Sequence, residues 1–390
     1  PRVDAILKSS DFISTFLQHP LSTDLRARLT EAQVRHVYES LRRSEVLREV
    51  DAIVCTLPAS MCELWMPFNK TIIILSGGAY YNAGRCTPGE RRRFDEHLRL
   101  IAATSPHVLA ASSHVDAEVI EAYTGVRPIV FESAPWFYVH GIQWRPRRSE
   151  ILVFCNRAKP RMCPGLTAEM GRRVPHGSEA WTFRDIYDLY PSYSLEDLGA
   201  HRAVVVFPYA HLTWTVAELY AMSMPMFLPS LRWLSSLQGC PSDVRPPWSQ
   251  AEGSCRMEDT SLPDLLGEVG TYCPRANHSS RSAMRASSRH PYMPEDASRG
   301  AWAYWLQHVE FYRWPFVVTF ESWEDLSEKL SVASFPDLHR LMLGANEAHA
   351  RRIRHQWCEL VQSLPSRRQD AAPLPYDEAL QALWGVSGLM

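Results

Sequence analysis

Long apolar runs are missing from this 390-residue chain. The longest, around Thr71–Leu75 and Ala203–Tyr209, are strand-length, whereas a bilayer span needs about 20 apolar residues. No membrane contact is expected from the chain in hand. Net charge is also missing, because 41 basic residues against 43 acidic ones leave −2. A dedicated nucleic-acid binder carries a strongly basic domain, so no nucleic-acid partner is expected. The common catalytic signatures are absent too. There is no Gly-x-x-x-x-Gly-Lys-Ser/Thr loop, no Gly-x-Gly-x-x-Gly turn, no Gly-x-Ser-x-Gly elbow and no His-Glu-x-x-His helix, which sets aside kinases, dinucleotide oxidoreductases, α/β-hydrolases and zinc proteases. No Cys-x-x-Cys pair occurs either. The nearest cysteine pairs, Cys55/Cys62 and Cys155/Cys163, miss zinc-site spacing, so no metal is expected.

What is present is ordinary globular composition, 46% apolar and 22% charged, which excludes disorder and a small disulfide scaffold. At roughly 150 residues per domain the length predicts two domains. Nine cysteines are many for a reducing compartment, and the sequons Asn69-Lys-Thr71 and Asn277-His-Ser279 are compatible with a secretory lumen. An odd count leaves at least one thiol free or paired between chains. The chain opens at Pro1 without an initiator Met or a basic-then-apolar leader, as expected of a processed or trimmed chain. A secretory, Golgi-lumenal setting is the first expectation and the cytoplasm the alternative.

Short β-branched runs alternate with helical stretches, the pattern of parallel sheets flanked by helices. Strands are predicted at Val3–Leu7, Asp51–Cys55, Thr71–Leu75, His107–Ala111 and Pro128–Phe131. The clearest helices between them are Thr30–Val50, opened by a Thr30/Gln33 capping box, Glu90–Thr104, and His114–Tyr123, which stops at Gly125. Trp144-Arg-Pro-Arg-Arg-Ser149 reads as an interdomain linker. A second α/β unit follows: strand Glu150–Cys155, helices Phe183–Tyr190 and Ser194–His201, strand Ala203–Tyr209, helix Thr213–Met222, strand Met224–Leu228 and helix Ser230–Leu237. From about 239 to 300 the pattern dissolves into Pro, Ser, Gly, Cys and Arg, far beyond the usual connection of about 4–6 residues, and is read as an insertion. Helix Ala301–Tyr312, strand Pro315–Phe320 and helices Ser322–Val332, Asn346–Leu364 and Tyr376–Trp384 complete the chain. The resulting domains are 1–144, 145–345 and a C-terminal helical segment 346–390.

The most informative stretch runs from Ala203-Val-Val-Val-Phe-Pro-Tyr209 through Ala210-His-Leu-Thr-Trp-Thr215 to Val216-Ala-Glu-Leu-Tyr-Ala-Met222. It sets His211, Thr213 and Thr215 at a helix N-terminus, where free N–H groups and the positive dipole end attract phosphate. Glu218, one turn in, is placed to accept hydrogen bonds from ribose hydroxyls. The stretch resembles the donor-binding motif of GT-B glycosyltransferases, in which a His or Ser/Thr turn precedes Thr-x-x-Glu and a Pro follows seven residues after the Glu, here Glu218 and Pro225. Ile151-Leu-Val-Phe-Cys-Asn-Arg157-Ala-Lys159 resembles the first strand and basic loop that neutralise the donor diphosphate in that superfamily. Ala111-Ser-Ser-His-Val-Asp116 and Tyr123-Thr-Gly125 resemble the late strand–helix unit of its acceptor domain.

The resemblance implies an α/β fold of two Rossmann-like doubly wound domains facing across a cleft, with the C-terminal helix crossing back to the first domain. It implies a glycosyltransferase moving a sugar from a UDP- or GDP-sugar to a hydroxyl of a glycan, glycoprotein or glycolipid. No Asp-x-Asp metal anchor is present, so the diphosphate is expected to leave without a bound metal or other cofactor. The retaining family with a Glu-x7-Glu pair does not carry over, because position 210 is Ala210. The donor residues implied are Arg157, Lys159, Tyr209, His211, Thr213, Thr215 and Glu218. Tyr80, Asn82 and Arg85, just past a strand's carboxyl end where such sheets bind ligands, are acceptor or diphosphate candidates. His114 and Asp116 are the candidates for the general base.

Each assignment has a plainer counterpart. Thr215-x-x-Glu218 also reads as a capping box, Asp116 as a partner of a Ser113 helix cap, Arg157 and Lys159 as solvated cations, and the aromatic residues of 301–306 and 311–314 as core. Two other functions stay open: a non-catalytic nucleotide- or sugar-binding protein on the same scaffold, and a nucleotide-sugar epimerase that needs no acceptor.

Overall fold

A computed structural model of the chain describes residues 31–56, 59–77, 88–132, 135–139, 141–154, 166–174, 181–207, 214–238, 290–291 and 304–364. They fall into two compact units. Unit 1 takes those of Pro1–Phe131, Glu268–Pro294 and Trp357–Met390, and unit 2 those of Glu132–Gly267 and Glu295–Gln356. Both are α/β with parallel sheets, the Rossmann-like class that the alternation of strands and helices predicts.

In unit 1, helices α1 (Glu31–Leu41) and α2 (Glu45–Glu49) lead into β1 (Ala52–Cys55) and the 3-10 turns Ala59–Leu64 and Met66–Phe68. Then come β2 (Thr71–Ser76), α3 (Pro88–Ala103), β3 (Val108–Ala111), α4 (His114–Thr124) and β4 (Ile129–Val130). The strands pair in the order β1-β2-β3-β4, all parallel. Ile72, Ile73 and Ile74 of β2 are all buried, as expected for a strand covered on both faces. Helix α4 begins where Ser113, in extended conformation, accepts the Asp116 N–H, and ends at Gly125, whose φ of 73° suits a residue without Cβ. The single helix expected over Thr30–Val50 is broken at Arg42–Ser44: Ser44 leaves the helical region, and Leu41 and Leu47 are buried from two separate helices. Strand Val3–Leu7, the Thr30 cap and helix Tyr376–Trp384 lie outside the described residues.

Unit 2 contains the 3-10 turn Pro135–Phe137, β5 (Ile151–Phe154), α5 (Leu166–Arg173), β6 (Phe183–Asp185), α6 (Ile186–Leu189), α7 (Leu195–Gly199), β7 (Ala203–Val206), α8 (Trp214–Ala221), β8 (Met226–Pro229) and α9 (Leu231–Gln238). The 3-10 turn Glu310–Tyr312, β9 (Val318–Phe320), α10 (Trp323–Val332) and α11 (Phe335–Ser363) follow. The sheet is parallel with the order β6-β5-β7-β8-β9. Counted within the unit this is 2-1-3-4-5, a doubly wound order whose direction of winding reverses between β5 and β7.

Four expectations need correction. The helix read over Phe183–Tyr190 is a strand followed by one helical turn, because Phe183 pairs opposite Ile151 at the sheet edge and Asp185 caps Ile186–Leu189 by accepting the Tyr187 N–H. The described part of Ala301–Tyr312 is helical only over 304–306 and then turns, since Trp305, Phe311 and the Tyr312 hydroxyl, which donates to the Pro229 carbonyl at 2.9 Å, all turn inward. The last long helix starts at Phe335 rather than near Asn346, its first ring buried against Trp181 and Phe227. The proposed linker is bound into unit 2: the N–H groups of Trp144, Arg145 and Arg147 donate to the carbonyls of Met222, Gly199 and Ala200. A Cβ on Gly199 would meet the Gln143 carbonyl oxygen at 3.3 Å, so a larger residue there would push this strap away. Residues of α11 before Trp357 belong to unit 2, while its end lies in unit 1. There Leu360 joins Ile73, Ala110 and Phe131 in one buried cluster, and Trp357 packs on Phe131 with ring centres 4.7 Å apart.

Candidate functional site

Open parallel sheets bind ligands outside the carboxyl ends of their strands, at the point where the winding reverses. In unit 2 that point lies between β5 and β7. Phe154 pairs opposite Val206, and the Phe207 N–H donates to the Phe154 carbonyl at 2.9 Å, so the chain leaves both strands side by side. The segment leaving β5 carries Arg157 and Lys159, and the one leaving β7 carries Tyr209, His211 and Thr213. These five side chains lie outside the described residues; their points of attachment are hydrogen-bonded neighbours. All four residues of β5 and of β7 are buried, which fixes those attachment points in the core.

Helix α8 continues the second segment. Thr215 is its second residue rather than its cap, and its hydroxyl lies 3.3 Å from that of Tyr193. Glu218 makes no bond back to Thr215. Its Oε1 instead accepts the Tyr138 hydroxyl at 2.7 Å, from the turn that packs on α8. Thr215 and Glu218 therefore do not form the capping box that their spacing allows. Partial burial raises the Tyr138 hydroxyl well above the usual phenol range, and the adjacent Glu218 charge adds to this, so Tyr138 stays a neutral donor at physiological pH. Half of Tyr138 and half of Trp214, at the start of α8, remain exposed, at 53% and 51%. Trp214 precedes Glu218 by one helical turn and shares its face. Pro225 has a structural task, its carbonyl accepting the Val204 N–H at 3.0 Å.

The underside of α8 is a closed polar core. Trp136 donates its indole N–H to Asn346 Oδ1 at 2.8 Å, while the Asn346 amide donates to the Tyr220 carbonyl and the Ser223 hydroxyl. Tyr220 stacks on Trp314 and donates to the Pro315 carbonyl. Trp305 and Phe311, at 0% and 2% exposure, belong to the core.

In unit 1, Asp116 is 1% exposed and its Oδ2 accepts the hydroxyls of both Ser112 and Ser113, a cap at the start of α4. His114 is the first residue of that helix and half-buried. Tyr80, Asn82 and Arg85 follow β2 and lie outside the described residues. Glu118 and Glu121 with His290 have ligand atoms within 4.8 Å of one another. Arg127 Nη1 sits against both carboxylates, 2.7 Å from Glu121 Oε2, and so already offsets one of their two charges. Cys55 and Cys62, both buried, form a disulfide with Cα atoms 5.6 Å apart.

Thus the structure sets the ends of β5 and β7 side by side, and the helix bearing Thr215 and Glu218 is the next described element after β7, while His114 and Asp116 belong to the other unit. Sequence reading missed Tyr138, 80 residues from its partner, for which no local signal exists. It quoted Trp214 within the motif but gave it no role. No family model, no curated protein and no solved structure matches this chain. Fold and site together define it as an α/β protein with a doubly wound parallel sheet and a carboxylate-bearing helix at that sheet's switch point.

Proposed function

We propose that the protein is a glycosyltransferase of the GT-B type, transferring a sugar from a UDP- or GDP-sugar to a hydroxyl of a glycan, glycoprotein or glycolipid. One observation carries the reading: the segment with Arg157 and Lys159 and the segment with Tyr209, His211 and Thr213 leave adjacent strand ends at the switch point, and Glu218 lies on the helix that follows. In this reading the helix N-terminus and the two cations stabilise the departing diphosphate, because a leaving group that gains negative charge is favoured by fixed donors. Arg157 suits phosphate best through its forked guanidinium. Glu218 takes the ribose and unit 1 takes the acceptor, the division of labour of GT-B enzymes. The Cys55–Cys62 disulfide supports an oxidising, secretory setting.

A second reading, a nucleotide- or sugar-binding protein without transfer activity, is favoured by Asp116, whose carboxylate is spent on two serine hydroxyls. A thermal-shift screen of UDP, GDP, CMP and ADP, with and without EDTA, tests the donor site. A ligand at 100 times its Kd stabilises by about 2.7 kcal/mol. Stabilisation by one nucleoside diphosphate, unchanged by EDTA, is expected, and Glu218→Ala should weaken that shift far more than it lowers the unliganded melting temperature. Silence from every nucleotide sinks the assignment. Release of nucleoside diphosphate in proportion to added acceptor then separates the transferase from the binder.

A further inference from the structure

We infer that Arg145, Arg147 and Arg148 form a docking edge for a sulfated glycan chain, on the side of unit 2 away from the candidate donor site. The inference stands apart from the donor-site reading and concerns a basic run that this reading leaves without a task. The three arginines lie on the strap 144–149, which leads straight into β5. Gly199 and Ala200, whose carbonyls hold the strap, shortly precede β7. The strap therefore runs along the amino ends of β5 and β7, opposite the strand ends from which the Arg157 and His211 segments depart.

Its course is fixed by main chain. The N–H groups of Arg145, Arg147 and Arg148 donate at 2.9, 2.7 and 3.0 Å, and Trp144 anchors the start with its indole N–H on the His201 carbonyl at 2.8 Å. All three arginine side chains remain exposed. Arg148 lies over the Tyr190 ring at 5.8 Å, whereas Arg145 and Arg147 make no ion pair among the described residues. In a chain of net charge −2 this is a local and uncompensated positive edge. Its backbone is already ordered, so binding loses little chain entropy.

The chemistry of the edge selects its occupant. A guanidinium fork meets an oxyanion through two parallel hydrogen bonds, and short arginine-rich runs are a known form of heparin-type patch. Single-stranded nucleic acid also calls for exposed aromatic rings on which its bases stack, and a membrane surface for apolar side chains that enter it. The strap offers neither: Trp144 is 7% exposed, and the remainder is arginine, Pro146 and Ser149. What fits is a polyanion without bases or acyl chains. In the oxidising setting that the Cys55–Cys62 bridge supports, that is a sulfated glycan.

Calorimetric titration of the full chain with size-defined heparin fragments, at several salt concentrations, supplies the test. Arg145→Ala and Arg147→Ala should each weaken binding roughly threefold to tenfold, and each should lower the slope of log K against log salt by about 1. Arg48→Ala removes the same charge from an exposed pair with Glu45 in unit 1 and should leave both quantities unchanged. The main-chain bonds that hold the strap survive these substitutions, so melting temperatures should stay near wild type. Heparin binding that no strap variant changes, or that Arg48→Ala weakens equally, overturns the edge. Equal binding of desulfated fragments, or tighter binding of a single-stranded oligonucleotide or of phosphatidylglycerol vesicles, overturns the sulfated glycan as occupant. No binding at about 0.15 M salt overturns the inference altogether.

Discussion

Asn346, in the middle of α11, is the acceptor for the Trp136 indole and donates to the Tyr220 carbonyl and the Ser223 hydroxyl, at 2.8, 2.7 and 3.0 Å. At 3% exposure it is the polar peg on which the turn before β5, the end of α8 and the last helix are hung. A buried donor or acceptor left without a partner costs about 1–3 kcal/mol.

Asn346→Ala takes the partner from the Trp136 indole N–H and the Ser223 hydroxyl, while the Tyr220 carbonyl keeps the Ser223 N–H, so a loss of about 2–3 kcal/mol in unfolding free energy is expected, read from urea denaturation. A loss below about 0.5 kcal/mol would mean that water replaces the amide at no cost.

Burial depresses the acidity constants of His201 and His349, against the opposing pull of Glu150 on the first and Glu132 on the second. Both are therefore neutral when folded, and the unfolded chain binds the proton first. Their stability is complete above the unfolded value of about 6.5 and is lost as pH falls through it towards the lower folded values. The urea midpoint should fall between about pH 7.5 and 5.5, and His349→Gln should flatten that slope. Asp197, held below the usual carboxylate range mainly by the Ser194 N–H and hydroxyl, acts in a separate window below about pH 4. A midpoint that stays level from about pH 7.5 to 5.5 would refute the histidine account.

The Cys55–Cys62 bridge closes a loop of seven residues in sequence separation. Its removal by Cys55→Ala with Cys62→Ala should cost about 2–3 kcal/mol, through added freedom of the unfolded chain. Peptide mapping without reductant should recover the two cysteines in one linked peptide. Asn69 is exposed at the turn before β2, so secreted material should also carry a glycan there, removable by an N-glycosidase. Recovery of both cysteines as free thiols would remove the structural support for an oxidising compartment.

Leu360, from the end of α11, is 8% exposed among Ile73, Ala110 and Phe131. Leu360→Ala should cost about 2–3 kcal/mol, towards the low end for a buried leucine because the site lies near the edge of the cluster. Hydrogen exchange should show the loss as faster exchange of the β2 and β3 amides. Unchanged exchange there would mean that the helix end contributes no packing to this sheet.

The sequence by itself determined the nine described strands except β6, the stop of α4 at Gly125 and the parallel α/β class, because continuous β-branched runs and left-handed glycine caps are local signals. That the segments carrying Arg157 and Glu218 depart from adjacent strand ends was decided by tertiary structure. The strand order β6-β5-β7-β8-β9 is a matter of which edges pair, and no local preference encodes it. The same holds for Tyr138 against Glu218 and for Trp136 against Asn346, contacts across 80 and 210 residues. β6 was misread because Phe183–Tyr190 has helix-compatible spacing, and only the free edge of β5 makes it a strand. Local propensity therefore selected the elements, whereas the burial of shared apolar faces selected their neighbours, and the candidate site is made by those neighbours.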